Sequence, residues 1–162
     1  MDKIRDTASY KFDDKYWDSR YETGQTGWDA GSISTPLKEY TDQLNDRNIN
    51  ILIPGCGNAY EAEYLLQKGF RNITLIDISN VLIDKLKLKF ETSEIKLIRS
   101  DFFEHTGRYD LIIEQTFFCA LDPKSRKMYA EKVKTLLDKK GKLAGVLFYN
   151  NDPENELSKE ND

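Results

Sequence analysis

The sequence predicts an α/β domain in which a mostly parallel β-sheet of about five strands carries helices on both faces. Apolar runs of strand length alternate along the chain with longer segments of helical periodicity, a pattern typical of parallel sheets. One stretch, residues 48–77, contains the full order of strand, glycine turn, helix and strand that makes a parallel crossover unit. With 162 residues, of which 39% are hydrophobic, the chain is long enough for one domain with a substantial core.

The N-terminal part precedes the first predicted strand. Residues 1–15 are polar and are predicted to form an arm or a loose helix. Residues 16–29 are rich in aromatic residues and glycine and are predicted to be mostly loop. Pro36 is predicted to open a helix, because proline suits the first helical turn and apolar residues follow it at spacings of three and four.

The crossover unit supplies two strands and the helix between them. Its first strand covers residues 49–53, and its helix covers residues 59–68. Gly69 stands where a helix ends in a left-handed cap. The second strand covers residues 73–76 and is followed by Asp77.

Three more strands are predicted after this unit. Ser79 is predicted to cap a helix, and the third and fourth strands cover residues 95–98 and 109–114. Pro123 is predicted to begin a further helix that Gly141 ends.

The fifth predicted strand runs from Leu143 to Phe148. The segment that follows, residues 149–162, carries five acidic residues and no periodicity, so it is predicted to be a disordered tail. The predicted domain therefore covers residues 1–148.

The glycine turn is the first candidate for a binding site. Gly55 and Gly57 let a backbone approach a ligand closely, and Asp77, 20 residues after Gly57, stands where a carboxylate accepts hydrogen bonds from ribose hydroxyls. A nicotinamide site usually has a third glycine where Tyr60 stands, so the pattern favours S-adenosylmethionine over a dinucleotide. A purely structural turn is the alternative.

Other candidate residues follow later strands or precede the first. Asp101 and Phe102 follow the third strand, where they could contact a purine or serve equally as a helix cap and a core side chain. Trp28, between two turn-forming residues, is the better candidate for a lid over a ligand, whereas Trp17 is expected to pack against the sheet edge.

Composition excludes several classes of function. The net charge of −4 and the lack of a basic stripe argue against a nucleic-acid partner, and no apolar run is long enough to cross a membrane. No Cys/His group has the spacing of a metal site, and His105, the single histidine, lies in a polar connection. Two cysteines and a polar start without a secretory signal predict a cytoplasmic protein.

Several segments together resemble the thiopurine S-methyltransferase family, which includes thiol and halide methyltransferases. The resemblance covers roughly residues 16–148, and its most specific parts are the segments with the two tryptophans and the run Gln-Thr-Phe-Phe-Cys-Ala. The segments that carry it are residues 16–21, 27–29, 53–59, 75–79, 101–103 and 114–121.

The resemblance implies a Rossmann-like methyltransferase sandwich with strand order 3-2-1-4-5, S-adenosylmethionine as methyl donor and a small thiol, thiopurine or halide-like acceptor. It implies a set of residues that contact the cofactor: Gly55 and Gly57 at the methionine, Asp77 at the ribose, Ile78, Asp101 and Phe102 at the adenine, the backbone of Glu114 or Gln115 at the amine, and Trp17 and Trp28 as cover. It places Phe117, Phe118 and Cys119 on the acceptor side. The resemblance does not assign a catalytic residue, and it implies no metal site.

The chain departs from the family at its end. Family members add a final antiparallel hairpin after the fifth strand, and this chain is expected to lack it. A cofactor-binding module with an incomplete acceptor pocket, or an NAD(P)-dependent oxidoreductase, therefore remains an alternative function. The uncovered, uncharged edge strand from Leu143 to Phe148 is also expected to permit self-association.

Overall fold

The structure, a computed structural model, describes residues 12–148. The predicted C-terminal tail and most of the predicted N-terminal arm lie outside these residues. The helices and strands are, in chain order, α1 (Asp14–Glu22), α2 (Thr35–Asp42), β1 (Ile51–Pro54), α3 (Tyr60–Gln67), β2 (Ile73–Asp77), α4 (Asn80–Lys89), β3 (Lys96–Arg99), β4 (Tyr109–Gln115), α5 (Phe117–Ala120), a 3-10 turn (Pro123–Ser125), α6 (Arg126–Leu136) and β5 (Leu137–Val146).

The five strands form one sheet in the order β3-β2-β1-β4-β5, and every neighbouring pair is parallel. Both the predicted fold class and the predicted strand order are confirmed. The order reverses between β1 and β4, and in parallel sheets a ligand crevice opens at the carboxyl ends of the strands at such a point.

Helices cover both faces of the sheet because alternate strand residues point to opposite sides. Ile51 and Ile53 pack with Leu65 of α3 in one core cluster, which also takes in residues of α2 and α4. Leu52 packs in a second cluster with Val133 of α6. The buried strands are apolar on both sides, as expected for a parallel sheet between two helical layers.

The end of α6 and the beginning of β5 differ from the prediction. Gly141 does not end a helix: α6 ends at Leu136, and β5 begins at Leu137 rather than Leu143. The pairing of β4 with β5 contains a shift in register, and a Cβ on Gly141 would lie 2.8 Å from the carbonyl oxygen of Tyr109. Glycine is therefore required here for a close strand-to-strand approach, a reason that depends on tertiary contacts and not on a helix cap.

The region before the first strand is more helical than predicted. Asp14 and Lys15, assigned to the polar arm from the sequence, belong to α1, whose N-cap is the side chain of Asp13. Trp17 consequently lies on a helix.

The predicted cap at Ser79 is confirmed, because its side chain accepts a hydrogen bond from the backbone N–H of Leu82.

Candidate functional site

A cavity of about 330 Å³ opens at the carboxyl ends of the parallel strands. It is lined by the loops that follow β1, β2, β3 and β4, and by α1 and the segment after α1. Of the predicted site residues, all except Glu114 and Phe118 line this cavity. Residues more than 90 positions apart in the sequence therefore contribute to one surface.

The glycine turn after β1 forms one wall of the cavity. Gly55 and Gly57 adopt left-handed conformations, with φ of 55° and 51°, and Ala59 follows with φ of 56°. An added Cβ on Gly55 would lie 2.2 Å from Cδ2 of Phe117, so only glycine fits beneath that ring. The turn thus brings bare backbone to the cavity wall, which suits close contact with a ligand.

Asp77 ends β2 and is buried at the cavity wall. Its Oδ1 accepts a hydrogen bond from the backbone N–H of Ser79 at 3.0 Å. Burial raises the pKa of the Asp77 carboxyl from 3.8 to about 6, although backbone N–H groups of Ser79, Gly57 and Ile78 lower it in part. A carboxylate this poorly solvated gains from hydrogen-bond donors on a ligand.

Three aromatic side chains, Trp17, Tyr21 and Trp28, line the cavity and are together called the aromatic lid below. The ring centres of Trp17 and Trp28 lie 5.4 Å apart, and those of Tyr21 and Trp28 lie 5.9 Å apart, both edge to face. Trp17 therefore lines the cavity together with Trp28. The role of a cover over the cofactor, which the resemblance implies for both tryptophans, stays a prediction. Tyr21 was missed by the sequence analysis, although its helical spacing of four residues from Trp17 was a usable signal.

The helix that carries the aromatic lid is fastened to the sheet by two polar contacts. Oδ1 of Asp18 accepts hydrogen bonds from the hydroxyl of Ser79 and from the backbone N–H of Val81 at 3.1 Å. Asp14 forms an ion pair with Arg99 at 3.0 Å. The first contact ties α1 to the loop that holds Asp77, so the aromatic lid and the carboxylate are positioned together.

Asp101 and Phe102 lie after β3, on the far side of the cavity. Oδ1 of Asp101 accepts a hydrogen bond from the backbone N–H of Phe103 at 2.8 Å. Phe102 is buried in the second core cluster and packs edge to face on Phe117, with ring centres 5.3 Å apart. Both residues line the cavity. Asp101 also caps a turn and Phe102 is a core side chain, whereas contact of the two residues with a purine stays a prediction.

Of the predicted site residues at the end of β4 and in the turn after it, some line the cavity and others are directed away from it. Gln115, Phe117 and Cys119 line the cavity. Phe118 instead packs on Tyr129, with ring centres 5.1 Å apart. The carboxylate of Glu114 is buried beneath the turn, where it accepts the backbone N–H of Phe117 at 2.9 Å.

The sequence analysis also missed a polar cluster beside the glycine turn. Oδ2 of Asp29 accepts hydrogen bonds from the hydroxyl of Tyr60 at 3.0 Å and from the side-chain amide of Asn58. Hydrogen bonds from Gly31, Tyr60 and Asn58 outweigh the effect of burial and lower the pKa of Asp29. Tyr60, which stands where a nicotinamide site has a third glycine, thus connects Asp29 to the beginning of α3, next to the glycine turn.

The cavity is acidic. Among the described residues that line it there is no lysine, arginine or histidine, whereas five side chains carry a carboxyl group: Asp29, Glu61, Asp77, Asp101 and Asp122. Burial raises the pKa of Glu61 as it does that of Asp77. Such a lining favours a cationic ligand and disfavours a pyrophosphate, whose charges would have no side-chain partner.

A catalytic or metal-binding role for the remaining polar groups finds no support in the described part of the chain. His105 lies outside the cavity, and its Nε2 is 2.8 Å from the hydroxyl of Tyr109. Burial lowers the pKa of His105, which favours the neutral ring. Residues 12–148 contain no cluster of three His, Cys, Asp or Glu residues that could hold a metal, and none of the helices among them could span a bilayer.

A parallel sheet in this order, with a glycine turn after β1 and a buried acid after β2, defines the Rossmann-like class of nucleotide-binding α/β folds. The family model "Thiopurine S-methyltransferase (TPMT)" matches residues 12–155. The chain therefore belongs to the thiopurine S-methyltransferase family, and the resemblance noted from the sequence is confirmed.

Curated relatives agree with this assignment, and a solved structure shares the fold. The chain is 30% identical over 138 residues to "Probable thiol methyltransferase 2" of Arabidopsis thaliana and 25% identical to "Thiocyanate methyltransferase 1" of Brassica oleracea, covering 82% of this chain and 61% of each relative. It thus spans about three fifths of the length of these relatives. The methyltransferase from Burkholderia thailandensis, solved with 1,6-didemethyltoxoflavin and S-adenosylhomocysteine, shares the fold with a TM-score of 0.71 at 19% identity, over 86% of this chain and 62% of that one.

Proposed function

We propose that this chain binds S-adenosylmethionine and belongs to an enzyme that methylates a small sulfur nucleophile, a thiopurine or a halide-like anion. The observation that carries the proposal is the acidic cavity beside a bare glycine turn. S-Adenosylmethionine carries a sulfonium charge and no phosphate, so the carboxyl groups of the cavity favour it over NAD(P). Membership of the thiopurine S-methyltransferase family supports the same ligand.

Two features of the cavity fit this ligand independently of the family. Gly57 is left-handed with φ of 51°, and the nearest atom to a Cβ placed on it is the hydroxyl oxygen of Tyr21 at 3.7 Å, so the backbone of the turn is accessible to a ligand there. The side-chain oxygen of Gln115 is buried and has no hydrogen-bond partner among the described residues. A buried polar atom without a partner costs about 1–3 kcal/mol, which a donor such as an ammonium group could recover.

We assign the cofactor half of the cavity as follows. The carboxylate of Asp77 accepts hydrogen bonds from the two ribose hydroxyls, and Ile78 lies along the adenine. Asp101 accepts from the exocyclic amine, and the ring of Phe102 packs on the base. The aromatic lid excludes water from the ligand, and the backbone at Gln115 accepts from the α-ammonium group.

The acceptor half of the cavity is assigned to Phe117 and Cys119, with Phe118 outside it because that side chain packs on Tyr129. The cofactor supplies, when bound, an electrophilic methyl group on its sulfonium, and transfer of that group leaves S-adenosylhomocysteine. The apolar side chains hold a soft nucleophile in line with the methyl carbon and keep water out. A thiolate or an anion needs no general base at this step, which is consistent with the absence of histidine from the described lining.

The proposal is tested by incubating the protein with radiolabelled S-adenosylmethionine and three acceptors: thiophenol, 6-mercaptopurine and thiocyanate. Labelled methyl product with at least one acceptor supports it. Asp77→Ala should abolish most of the product, whereas Asp84→Ala, an exposed acid on α4, serves as the matched control. Hydride exchange with NAD(P) and no methyl transfer would contradict the proposal.

A second candidate function is a cofactor-binding module without turnover. It is favoured by one observation, namely that the chain spans 61% of the length of the relatives it matches. Binding of S-adenosylhomocysteine without methyl transfer to any of the three acceptors would support this candidate over the enzyme.

Self-association is proposed through part of β5, which lies at one edge of the sheet. As observed, β5 also contains Lys139, Lys140 and Lys142, so the strand is not free of charge as the sequence prediction assumed. The proposal is restricted to its second half, where Leu143 is 44% exposed, followed by Leu147 at 53% and Phe148 at 69%. Lysines on an edge strand oppose pairing, whereas an apolar edge favours it.

We also propose a cytoplasmic location and no nucleic-acid partner. The location is supported by two free cysteines at positions 56 and 119, one of them buried. The proposed lack of a nucleic-acid partner is supported by the net charge of −4.

A further inference from the structure

We propose that Glu114 is a positioning residue that acts through the backbone turn after β4 and the ring of Phe117, and thereby sets the shape of the methionine end of the cavity. Glu114 does not line the cavity, so this role differs from direct contact with the cofactor. The inference rests on the proposed function only for its ligand-binding test.

Glu114 occupies a prepared internal site. Its side chain is 2% exposed, and Gly145 of the neighbouring strand makes room for it. A Cβ on Gly145 would lie 3.2 Å from Cγ of Glu114 and 3.3 Å from its carbonyl oxygen. Because Gly145 has no side chain, there is room for the side chain of Glu114 between β4 and β5.

The carboxylate of Glu114 caps the short helix α5 from the strand that precedes it. Its Oε2 accepts the backbone N–H of Phe117 at 2.9 Å and that of Phe118 at 3.4 Å. Thr116, which stands at the usual cap position, is left-handed with φ of 58° and makes no side-chain cap. The first N–H groups of a helix need such an acceptor, and a non-glycine residue in this conformation is held only by its surroundings.

Tyr129 of α6 supports the same carboxylate from the other side. Its hydroxyl lies 3.4 Å from Oε1 of Glu114, and its ring packs among Phe102, Phe117 and Phe118. Burial raises the pKa of Glu114, whereas the hydrogen bonds from Phe118, Phe117 and Tyr129 lower it in part. The acid is thus retained in an apolar layer where it satisfies backbone donors.

The ring of Phe117 connects the turn after β4 to the glycine turn after β1. The ring fills the space above Gly55 so closely that a Cβ there would be 2.2 Å from Cδ2 of Phe117. If the turn loses its carboxylate cap, the backbone at Phe117 shifts, and the ring either enters the methionine end of the cavity or leaves Gly55 uncovered. Glu114 and Gly55 are therefore coupled through Phe117, which contacts both of them.

The first test needs no ligand. Amide hydrogen exchange at Phe117 and Phe118 should accelerate at least 10-fold in Glu114→Leu, since the acceptor of both N–H groups is lost. Glu114→Gln should restore most of the protection, because its amide oxygen can still accept. Glu131→Leu, an exposed acid on α6, is the matched control and should leave both amides unchanged. Unchanged protection in a folded Glu114→Leu variant would overturn the proposal.

The second test measures coupling by a double-mutant cycle. Glu114→Leu should weaken S-adenosylhomocysteine binding about 10-fold or more, as expected for the loss of a charge-assisted hydrogen bond that positions the site. In a Phe117→Ala background the same change should cost less than about 3-fold, because the transmitting ring is gone. An equal loss in both backgrounds would mean a general structural role and would refute the positioning role.

A third variant applies if Glu114→Leu does not fold. Gly145→Ala presses on Glu114 from β5 and should raise exchange at Phe117 and weaken S-adenosylhomocysteine binding by a few fold. Unchanged exchange in Gly145→Ala would count against the proposal. If the wild type binds no S-adenosylhomocysteine, the proposed function fails, and the exchange measurements still decide the role of Glu114.

Discussion

Replacing Asp77 by asparagine should make the ligand-free protein more stable at pH 8 and make it bind S-adenosylhomocysteine more weakly. The side chain is buried, and burial raises the pKa of its carboxyl to about 6 from an ordinary value of 3.8. A buried carboxylate with a raised pKa is destabilised relative to the unfolded chain whenever it is ionised. Asparagine keeps the shape and removes the charge.

The size of the stability effect follows from the two pKa values. A folded-state pKa above the unfolded one gives a stabilising contribution that is fully present below pH 3.8 and is lost as the pH rises through about 6. A difference of about two pH units between these values corresponds to about 3 kcal/mol. At pH 8 the Asp77→Asn variant should therefore be more stable by up to about 3 kcal/mol, or roughly 6–12 °C in Tm, and at pH 4 this gain should be small.

Binding should respond in the opposite direction. An ionised carboxylate offers two charge-assisted hydrogen bonds to ribose hydroxyls, each worth about 1.5–3 kcal/mol, so the variant should bind S-adenosylhomocysteine about 10- to 1,000-fold more weakly. Wild-type affinity should also rise as the pH increases through 6, because the carboxyl group must lose its proton. The affinity of the variant should lack this dependence.

The assay combines thermal unfolding between pH 4 and 8 with calorimetric titration of S-adenosylhomocysteine. Asp84→Asn is the control, because Asp84 is exposed on α4 and forms an ion pair with Lys87 at 3.1 Å. A variant that loses stability at pH 8 while binding as tightly as the wild type would refute the reasoning. Asp77 would then serve only as the cap of the turn before α4, through its bond to Ser79.

Three further outcomes are expected. Gly55→Ala should weaken S-adenosylhomocysteine binding at least 10-fold, since the new methyl group meets the ring of Phe117 and the residue keeps a strained φ; unchanged calorimetric affinity would contradict this. Trp17→Phe and Trp28→Phe should each reduce the ligand-induced fluorescence change, because their rings touch; a change carried wholly by one tryptophan would refute a shared lid. Leu143→Lys should lower any self-association seen by sedimentation, and an unchanged distribution of species would exclude this edge.

The parts of the fold that the sequence predicted well are those set by local patterns. The turn with Gly55 and Gly57 lies between an apolar run and a helical run, so its position and that of Asp77 follow from periodicity and spacing alone. The fold class was confirmed because the apolar runs of the first four strands could be recognised locally, whereas the strand order was predicted from the family resemblance.

The parts that were missed depend on contacts between distant residues. The sequence pattern predicts that Gly141 ends a helix, but glycine stands there because the backbone of Tyr109 passes close to it in the sheet. The hydrogen bond between Asp29 and Tyr60 joins residues 31 positions apart, and no local pattern indicates it. The resemblance concerned only the backbone of Glu114 or Gln115, and no local pattern indicates that the carboxylate of Glu114 is buried beneath the turn, where it accepts a hydrogen bond from the backbone N–H of Phe117.

We expect the acidic cavity to bind a sulfonium nucleoside and not a pyrophosphate dinucleotide. Calorimetric titration of the 162-residue chain with S-adenosylmethionine, S-adenosylhomocysteine and NAD tests it most directly. We expect one site per chain for the first two ligands, and no heat of binding with NAD at the same concentrations. Saturable binding of NAD, or binding of NAD as tight as that of S-adenosylmethionine, would contradict the account.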